Sequence, residues 1–284
     1  MKKIRISGVP EHFNLPWHLA IDDNAFEDRG IDLQWNDVPE GTGKMCQLLR
    51  DEETDIAVIL TEGIVKDIIG GNKVKIIQKF VDSPLYWGIH VDAHSSYRSI
   101  QELKGTKAAI SRFGSGSHLM AFINANEQGW DIANDLDFEV VNDIKGAVNA
   151  LGNGSADYFM WEHFMTKPLV DQGIFRRLSD CPTPWPCFVI AASDTAIKKH
   201  PNLLNHILEV INIYTMDFKD IPSIDRMLSN RYGLKIEDVQ EWMSITRWSQ
   251  ENITPMMIKK VQQQLFDLNI VDQVHEYDEL VTNL

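Results

Sequence analysis

Short β-rich runs alternate with helix-period segments along this chain, and the set is run through twice, which restricts the fold to parallel α/β layers. Residues 3–7 read as a strand, 17–26 as a helix, 32–35 as a second strand and 43–50 as a second helix. The run Ile56-Ala57-Val58-Ile59-Leu60 is apolar without a break, the pattern of a central strand covered on both faces. Residues 74–80 and 86–91 add two more strands. The set then restarts with strands at 107–110, 138–141 and 158–161, helices following the first two, and another apolar strand at 188–192. From Asp194 the chain is almost entirely helical, with long segments at 202–218 and 255–268. The expected architecture is α/β with two lobes. One is discontinuous (1–92 and 186–284, with the C-terminal helices) and the other spans 93–185.

A chain of 284 residues, 44% hydrophobic, is long enough for two such cores. Its 27 basic and 41 acidic residues leave a net charge of −14, which argues against nucleic acid or an anionic membrane as partner. No apolar stretch has the length of a membrane span. Met1-Lys2-Lys3 has the look of a leader start, but Ile4-Arg5-Ile6-Ser7-Gly8 follows in place of an apolar core. The expectation is a cytoplasmic protein, or a periplasmic one if the chain is a mature form. Three cysteines (Cys46, Cys181, Cys187) provide no disulfide framework, although Cys181 and Cys187 are close enough in sequence to pair.

Ile110-Ser111-Arg112-Phe113-Gly114-Ser115-Gly116-Ser117-His118 joins a short apolar strand to an apolar-periodic helix. Glycines there allow close backbone approach, serines cap the helix, and the first helical N–H groups are partly positive. A carboxylate, sulfonate or phosphate fits such a turn; an unliganded capped turn has the same sequence. The turn is no dinucleotide fingerprint, since the third glycine position is Leu119. Nor is Gly41-Thr42-Gly43-Lys44-Met45 a phosphate loop, because Met45 replaces the Ser or Thr that binds magnesium. A weak internal echo links residues 43–62 and 146–162, each reading helix, turn, Asp, apolar strand and a polar end with Glu. It suggests two equivalent lobes with comparable strand ends, Thr61-Glu62 and Trp161-Glu162. Ligands of open α/β sheets sit at such ends.

The segment 48–62, the strand 86–91, Ser99-Ile100-Gln101-Glu102-Leu103-Lys104-Gly105 and the Gly114–His118 turn together resemble the type II periplasmic-binding-protein fold. The resemblance is to the branch with nitrate, taurine and aliphatic-sulfonate binding proteins and the thiamine-pyrimidine synthases. It departs at Glu102 and Gly116 from the D-L-K-G, strand, G-S-S-x-H order of that branch. It implies two lobes joined by two crossing strands, a ligand in the cleft, and closure on binding.

Candidate ligand residues are those at strand ends and helix starts. Pro10, His12, Phe13, Asn14 and Trp17 follow the first strand, either lining the ligand site or stapling the next helix. Thr42 has a hydroxyl for an anion, Thr61 and Glu62 follow the central strand, and Arg112 is an anion clamp or a surface ion pair. Gly114, Ser115, Gly116, Ser117 and His118 form the anion turn, with Trp161, Glu162 and Trp185 completing the set. The leading expectation is a monomeric solute-binding protein for a small organic anion, its apolar or aromatic body among Phe13, Trp17, Trp161 and Trp185. No cofactor or metal is expected; the partner is the solute, with an ABC permease or another protein behind it. The alternative is a cytoplasmic enzyme of the thiamine-pyrimidine or menaquinone-precursor type on the same fold. That would call on His12, His118 and His163 as a cluster, or on Glu62 or Glu162 with His12 as acid and base. A ligand sensor offering Trp242 and Trp248 to a protein partner is a third reading.

Overall fold

The computed structural model describes residues 1–284. Its strands are β1 (Lys2–Gly8), β2 (Ile31–Asp37), β3 (Ile56–Leu60), β4 (Val74–Val81), β5 (Tyr86–Asp92), β6 (Lys107–Ile110), β7 (Asp137–Val140), β8 (Tyr158–Glu162), β9 (Phe175–Pro182) and β10 (Phe188–Ser193). The helices are α1 (Leu15–Asp22), α2 (Thr42–Arg50), α3 (Thr61–Ile69), α4 (Gly116–Glu127), α5 (Ile144–Asn153), α6 (His163–Asp171), α7 (Asp194–Lys199), α8 (Pro201–Met216), α9 (Ile224–Tyr232), α10 (Ile236–Ile245), α11 (Pro255–Asp267) and α12 (Tyr277–Leu280). None is long and apolar enough to cross a membrane.

The chain divides into two compact units, Met1–Pro84 with Trp185–Leu284, and Leu85–Pro184. Each holds one mixed five-stranded sheet. The first has the order β2-β1-β3-β10-β4, with β1 parallel to β2 and β3, and β10 antiparallel to β3 and β4. The second has the order β7-β6-β8-β5-β9, with β6 parallel to β7 and β8, and β5 antiparallel to β8 and β9. In each sheet the antiparallel strand is the one reached from the other unit. This is why β5, expected within 1–92 of the first lobe, hydrogen-bonds in the second unit. The apolar run at 56–60 is the middle strand of its sheet, its first four residues fully buried.

Two elements escaped the sequence pattern. β9 carries Arg176, Arg177 and Asp180, whose side chains sit at a half-buried sheet edge where no apolar alternation is required. α6 contains Pro168, which obscures its helical period. The first helix begins at Leu15, Pro16 filling a first-turn position, and stops at Asp22 instead of reaching Phe26.

The internal echo is carried by the framework. β1 pairs Ile6 with Ile56 and Ser7 with Ala57 of β3, while β6 pairs Ala108 with Tyr158 and Ala109 with Phe159 of β8. The Asp before each central strand makes the same contacts. Asp55 accepts from the Arg5 N–H at 2.8 Å, and its own N–H donates to the Arg5 carbonyl at 3.0 Å. Asp157 accepts from the Lys107 N–H at 2.9 Å and returns a bond to the Lys107 carbonyl at 2.8 Å. The strand ends are offset from the expected match, however: the residue preceding α3 is Leu60 and that preceding α6 is Glu162. Glu62 therefore corresponds to Phe164, not to Glu162.

Candidate functional site

In the second unit, β6 delivers the chain to a turn built from serine hydroxyls. The Ser111 N–H donates to Ser117 Oγ at 3.0 Å, and the Ser115 and Ser117 hydroxyls lie 3.1 Å apart. Ser115 is the N-cap of α4, its Oγ accepting from the His118 N–H at 3.4 Å. Gly114 has φ of +77°, a left-handed conformation that a Cβ would strain, so the glycine freedom expected in this turn is used there and not at Gly116. The Gly114 N–H donates to His118 Nδ1 at 3.0 Å, which assigns the imidazole proton to Nε2. The His118 ring packs against Phe113, Phe122 and Phe138 with centroids 4.7–5.3 Å away.

This turn leaves two kinds of donor unused. The N–H groups of Gly116 and Ser117, first in a helix of 12 residues, have no acceptor in the protein. Arg112 is exposed and forms no ion pair. The hydroxyls of Ser115 and Ser117, by contrast, are buried and already bonded, so their task is to shape the turn. Ser111, absent from the expected site residues, closes that hydroxyl chain. Its only sequence signal is a polar residue directly after an apolar strand.

Elsewhere in the unit, Trp161 is half-buried, stacked on Phe159 at 5.3 Å and edge-on to Trp87 at 6.2 Å. Glu162 caps α6, its Oε2 accepting from the Met165 N–H at 2.7 Å. His163 pairs with Asp180 at 2.9 Å and also meets Arg177. Cys181 donates to Glu127 Oε2 at 3.7 Å, and burial beside that carboxylate pushes its thiol up.

The first unit treats its expected site residues differently. Pro10 is exposed, but His12, Phe13, Asn14 and Trp17 are all buried to 3% exposure or less. Trp17 packs on Phe26, Trp35 and Phe80 inside the core of the first unit. His12 stacks on Phe13 and meets the Trp242 edge at 4.3 Å; burial pushes its pKa down to about 3, keeping the ring neutral. Asn14 Nδ2 donates to the Val9 carbonyl at 2.8 Å and ties the turn. These contacts match the helix-staple reading of the turn. Trp242 is likewise core, 1% exposed.

Thr42 opens α2 after Gly41, whose φ is +77°. Its methyl lies so close to Gly63 that a Cβ there would come within 2.2 Å, so the side chain also sets the approach of α2 to α3. Thr61 Oγ1 donates to the Pro186 carbonyl at 2.5 Å and its N–H to the Cys187 carbonyl at 3.0 Å, joining the end of β3 to the entry of β10. Glu62 is 2% exposed. Its Oε2 accepts from Trp185 Nε1 at 2.8 Å, its Oε1 has no partner, and burial pushes its pKa up to about 7.

The histidines named for metal-dependent chemistry have separate duties: His12 in the first unit's core, His118 on Gly114, His163 on Asp180. No three His, Cys, Asp or Glu side chains are grouped to hold a metal ion. Cys181 and Cys187 form no disulfide.

Residues 87–181 match the Ca3427-like PBP family. No curated protein matches the sequence. Among solved structures, the Candida albicans CA3427 gene product, described as exhibiting the generic periplasmic binding protein fold, is 23% identical, with a TM-score of 0.91 over 100% of this chain and 98% of its own. The alkanesulfonate-binding protein SsuA from Xanthomonas axonopodis pv. citri, bound to MOPS, is 15% identical, with a TM-score of 0.83 over 100% and 99%. The periplasmic aliphatic sulphonate binding protein SsuA from Escherichia coli is 14% identical, with a TM-score of 0.75 over 99% and 97%. Two mixed sheets with a shared strand order, and these likenesses over the full chain length, identify the protein as having the type II periplasmic-binding-protein-like fold.

Proposed function

We propose that the protein is a solute-binding protein for a small organic anion, a carboxylate or sulfonate, whose acidic group sits on the Arg112–His118 turn. The observation that carries this reading is the pair of unpartnered N–H groups at Gly116 and Ser117, beside an exposed, unpaired Arg112. Helix N-termini favour anions through the aligned peptide dipoles, and a guanidinium adds a forked, permanently charged donor pair. The net charge of −14 does not oppose this, because the turn supplies its own local donors. Two structural neighbours are named as sulfonate-binding proteins, in keeping with this ligand class. Delivery of the solute to an ABC permease is the role to which this reading extends.

Titration calorimetry with propane-1-sulfonate and butyrate tests it. Arg112→Ala weakens binding by about 1.5–3 kcal/mol, and Arg112→Lys restores part of that, since the ammonium lacks the fork. Gly116→Val blocks backbone approach and abolishes binding while the unfolding temperature stays near wild type. Gly116→Val binding as tightly as wild type would reduce the turn to a helix cap and end the proposal.

A further inference from the structure

We propose that Phe113 is the platform for the ligand's apolar body, and that the anion held on the Arg112–His118 turn carries a flat aromatic ring close to its acid group. This rests on the organic-anion reading and narrows its ligand class to aryl-bearing sulfonates and carboxylates.

The geometry singles out this ring. Of the protein's 12 Phe, 8 Trp and 6 Tyr residues, only Phe113 and Phe266 are exposed, Phe113 the more so at 66% against 43%. The backbone does not ask for an aromatic there. The Ser115 N–H donates to the Arg112 carbonyl at 3.1 Å, closing a tight turn whose two central residues are Phe113 and left-handed Gly114. The second of these positions favours glycine, whereas the first accepts almost any residue. The ring is nonetheless held in one direction. It stands nearly perpendicular to His118, at 85° and 5.3 Å, and to Phe138, at 81° and 6.2 Å. Phe138 in turn meets His118 and Phe122, and the exposed Val140 shares its face of edge strand β7. An aromatic cluster thus orients Phe113 while most of its surface stays in water. Apolar surface grouped in this way, unlike a single stray side chain, is what binding positions expose.

The donors for the acid group lie in the same short run of chain. Exposed, unpaired Arg112 directly precedes Phe113, and Gly116 and Ser117, with their unused N–H groups, follow it by three and four residues. Arg112 and Ser115 are the ends of the tight turn and so lie within about 7 Å of each other. An acid on these donors therefore has Phe113 within reach of a ring two or three carbons away. The platform is already at the surface, and a ligand meets it without any opening of the core. Trp161, the other aromatic of this unit expected at the ligand, is engaged elsewhere, stacked on Phe159 and packed against the cluster that holds Ala147, Leu151 and Phe175. Phe13, Trp17 and Trp185 are each 3% exposed or less. Ring pairs gain from offset or edge-to-face contact beyond the area they bury, which a saturated ring of similar size does not. Phe113 therefore selects an aryl body over an aliphatic one.

Matched probes that differ in the ring test this by titration calorimetry. 3-Phenylpropane-1-sulfonate is compared with propane-1-sulfonate, and 3-phenylpropanoate with butyrate and with 3-cyclohexylpropanoate. Wild type binds each phenyl-bearing probe about fivefold or more tightly than its alkyl partner, and 3-phenylpropanoate more tightly than its cyclohexyl analogue. Phe113→Ala brings the phenyl-bearing probes to the level of their alkyl partners. Phe113→Tyr keeps the preference, and Phe113→Leu, still apolar, loses the distinction between phenyl and cyclohexyl. Equal affinities within each pair overturn the inference. So does a phenyl preference that survives Phe113→Ala, even where both members of a pair weaken together, since the ring would then only shape the turn. If the alkyl and phenyl probes bind wild type alike, the anion reading survives and only this inference falls; if none binds, both fall. Should Phe113→Ala not fold, the phenyl-to-cyclohexyl ratio in Phe113→Tyr and Phe113→Leu decides, and an unchanged ratio in Phe113→Leu overturns the inference.

Discussion

The two units solve one framework problem identically and then use the strand ends for different purposes. Each places an Asp before its central strand to hold the neighbouring parallel strand, through reciprocal bonds of Asp55 with Arg5 and Asp157 with Lys107. Each starts a helix at a matching position, α2 at Thr42 and α5 at Ile144, and follows it with a left-handed residue, Glu52 at φ +55° and Gly154 at φ +75°. The turns after the first parallel strand then diverge. In the first unit it is filled with aromatic packing, His12 and Phe13 against Trp242. In the second unit it is a serine-lined bend with exposed Arg112 and two unused N–H groups. A repeated scaffold constrains the strands and their registers, whereas turns beyond the strand ends are free to become core or binding surface.

The largest effect should separate the aromatic residues of the two units. Trp17→Ala is expected to cost about 3–5 kcal/mol, as for a fully buried tryptophan, and the half-buried Trp161→Ala about 1–2 kcal/mol. Urea unfolding of both variants checks it, and equal losses would mean Trp161 is as much core as Trp17. Next comes the shared Asp device. Asp55→Ala and Asp157→Ala should each lose about 1.5–3 kcal/mol, since each leaves a backbone N–H of the neighbouring strand without its acceptor. Hydrogen exchange should show the Arg5 and Lys107 amides losing protection in the matching variant; a loss in one unit only would break the equivalence. The smallest effect concerns the left-handed position. Glu52→Gly is expected to stabilise by about 1 kcal/mol and Gly154→Ala to destabilise by about as much, opposite signs at corresponding sites. The gain is reduced by loss of the exposed Thr195 bond to Glu52 at 2.8 Å. Same-sign changes in thermal unfolding would show that the two turns are not alike.

Much of this was legible from residue order because period and punctuation are local. Continuous apolarity marked β3, apolar spacing marked α8 and α11, and the glycine–serine cluster marked the α4 turn before any tertiary contact was known. The echo between the halves was visible for the same reason, through an Asp at a fixed distance before an apolar run. Its alignment slipped at the strand ends because a Glu after a strand has one appearance in sequence and two roles in space. Glu162 is a helix cap and Glu62 is a buried partner of an indole. β9 was missed because a half-buried edge strand has no apolar alternation to reveal it.

The sequence by itself determined the α/β class, the restart of the strand–helix set, most elements and the position of the donor-rich turn. These depend on periodicity, on glycine, and on backbone groups that any helix start leaves unbonded. Only the tertiary structure decided that Trp17 and His12 are core, that Ser115 and Ser117 spend their hydroxyls on one another, and that Glu62 has one oxygen without a donor. Burial and hydrogen-bond satisfaction are set by neighbours such as Phe80, Trp242 and Trp185, which lie tens to hundreds of residues away along the chain. No local pattern can place them.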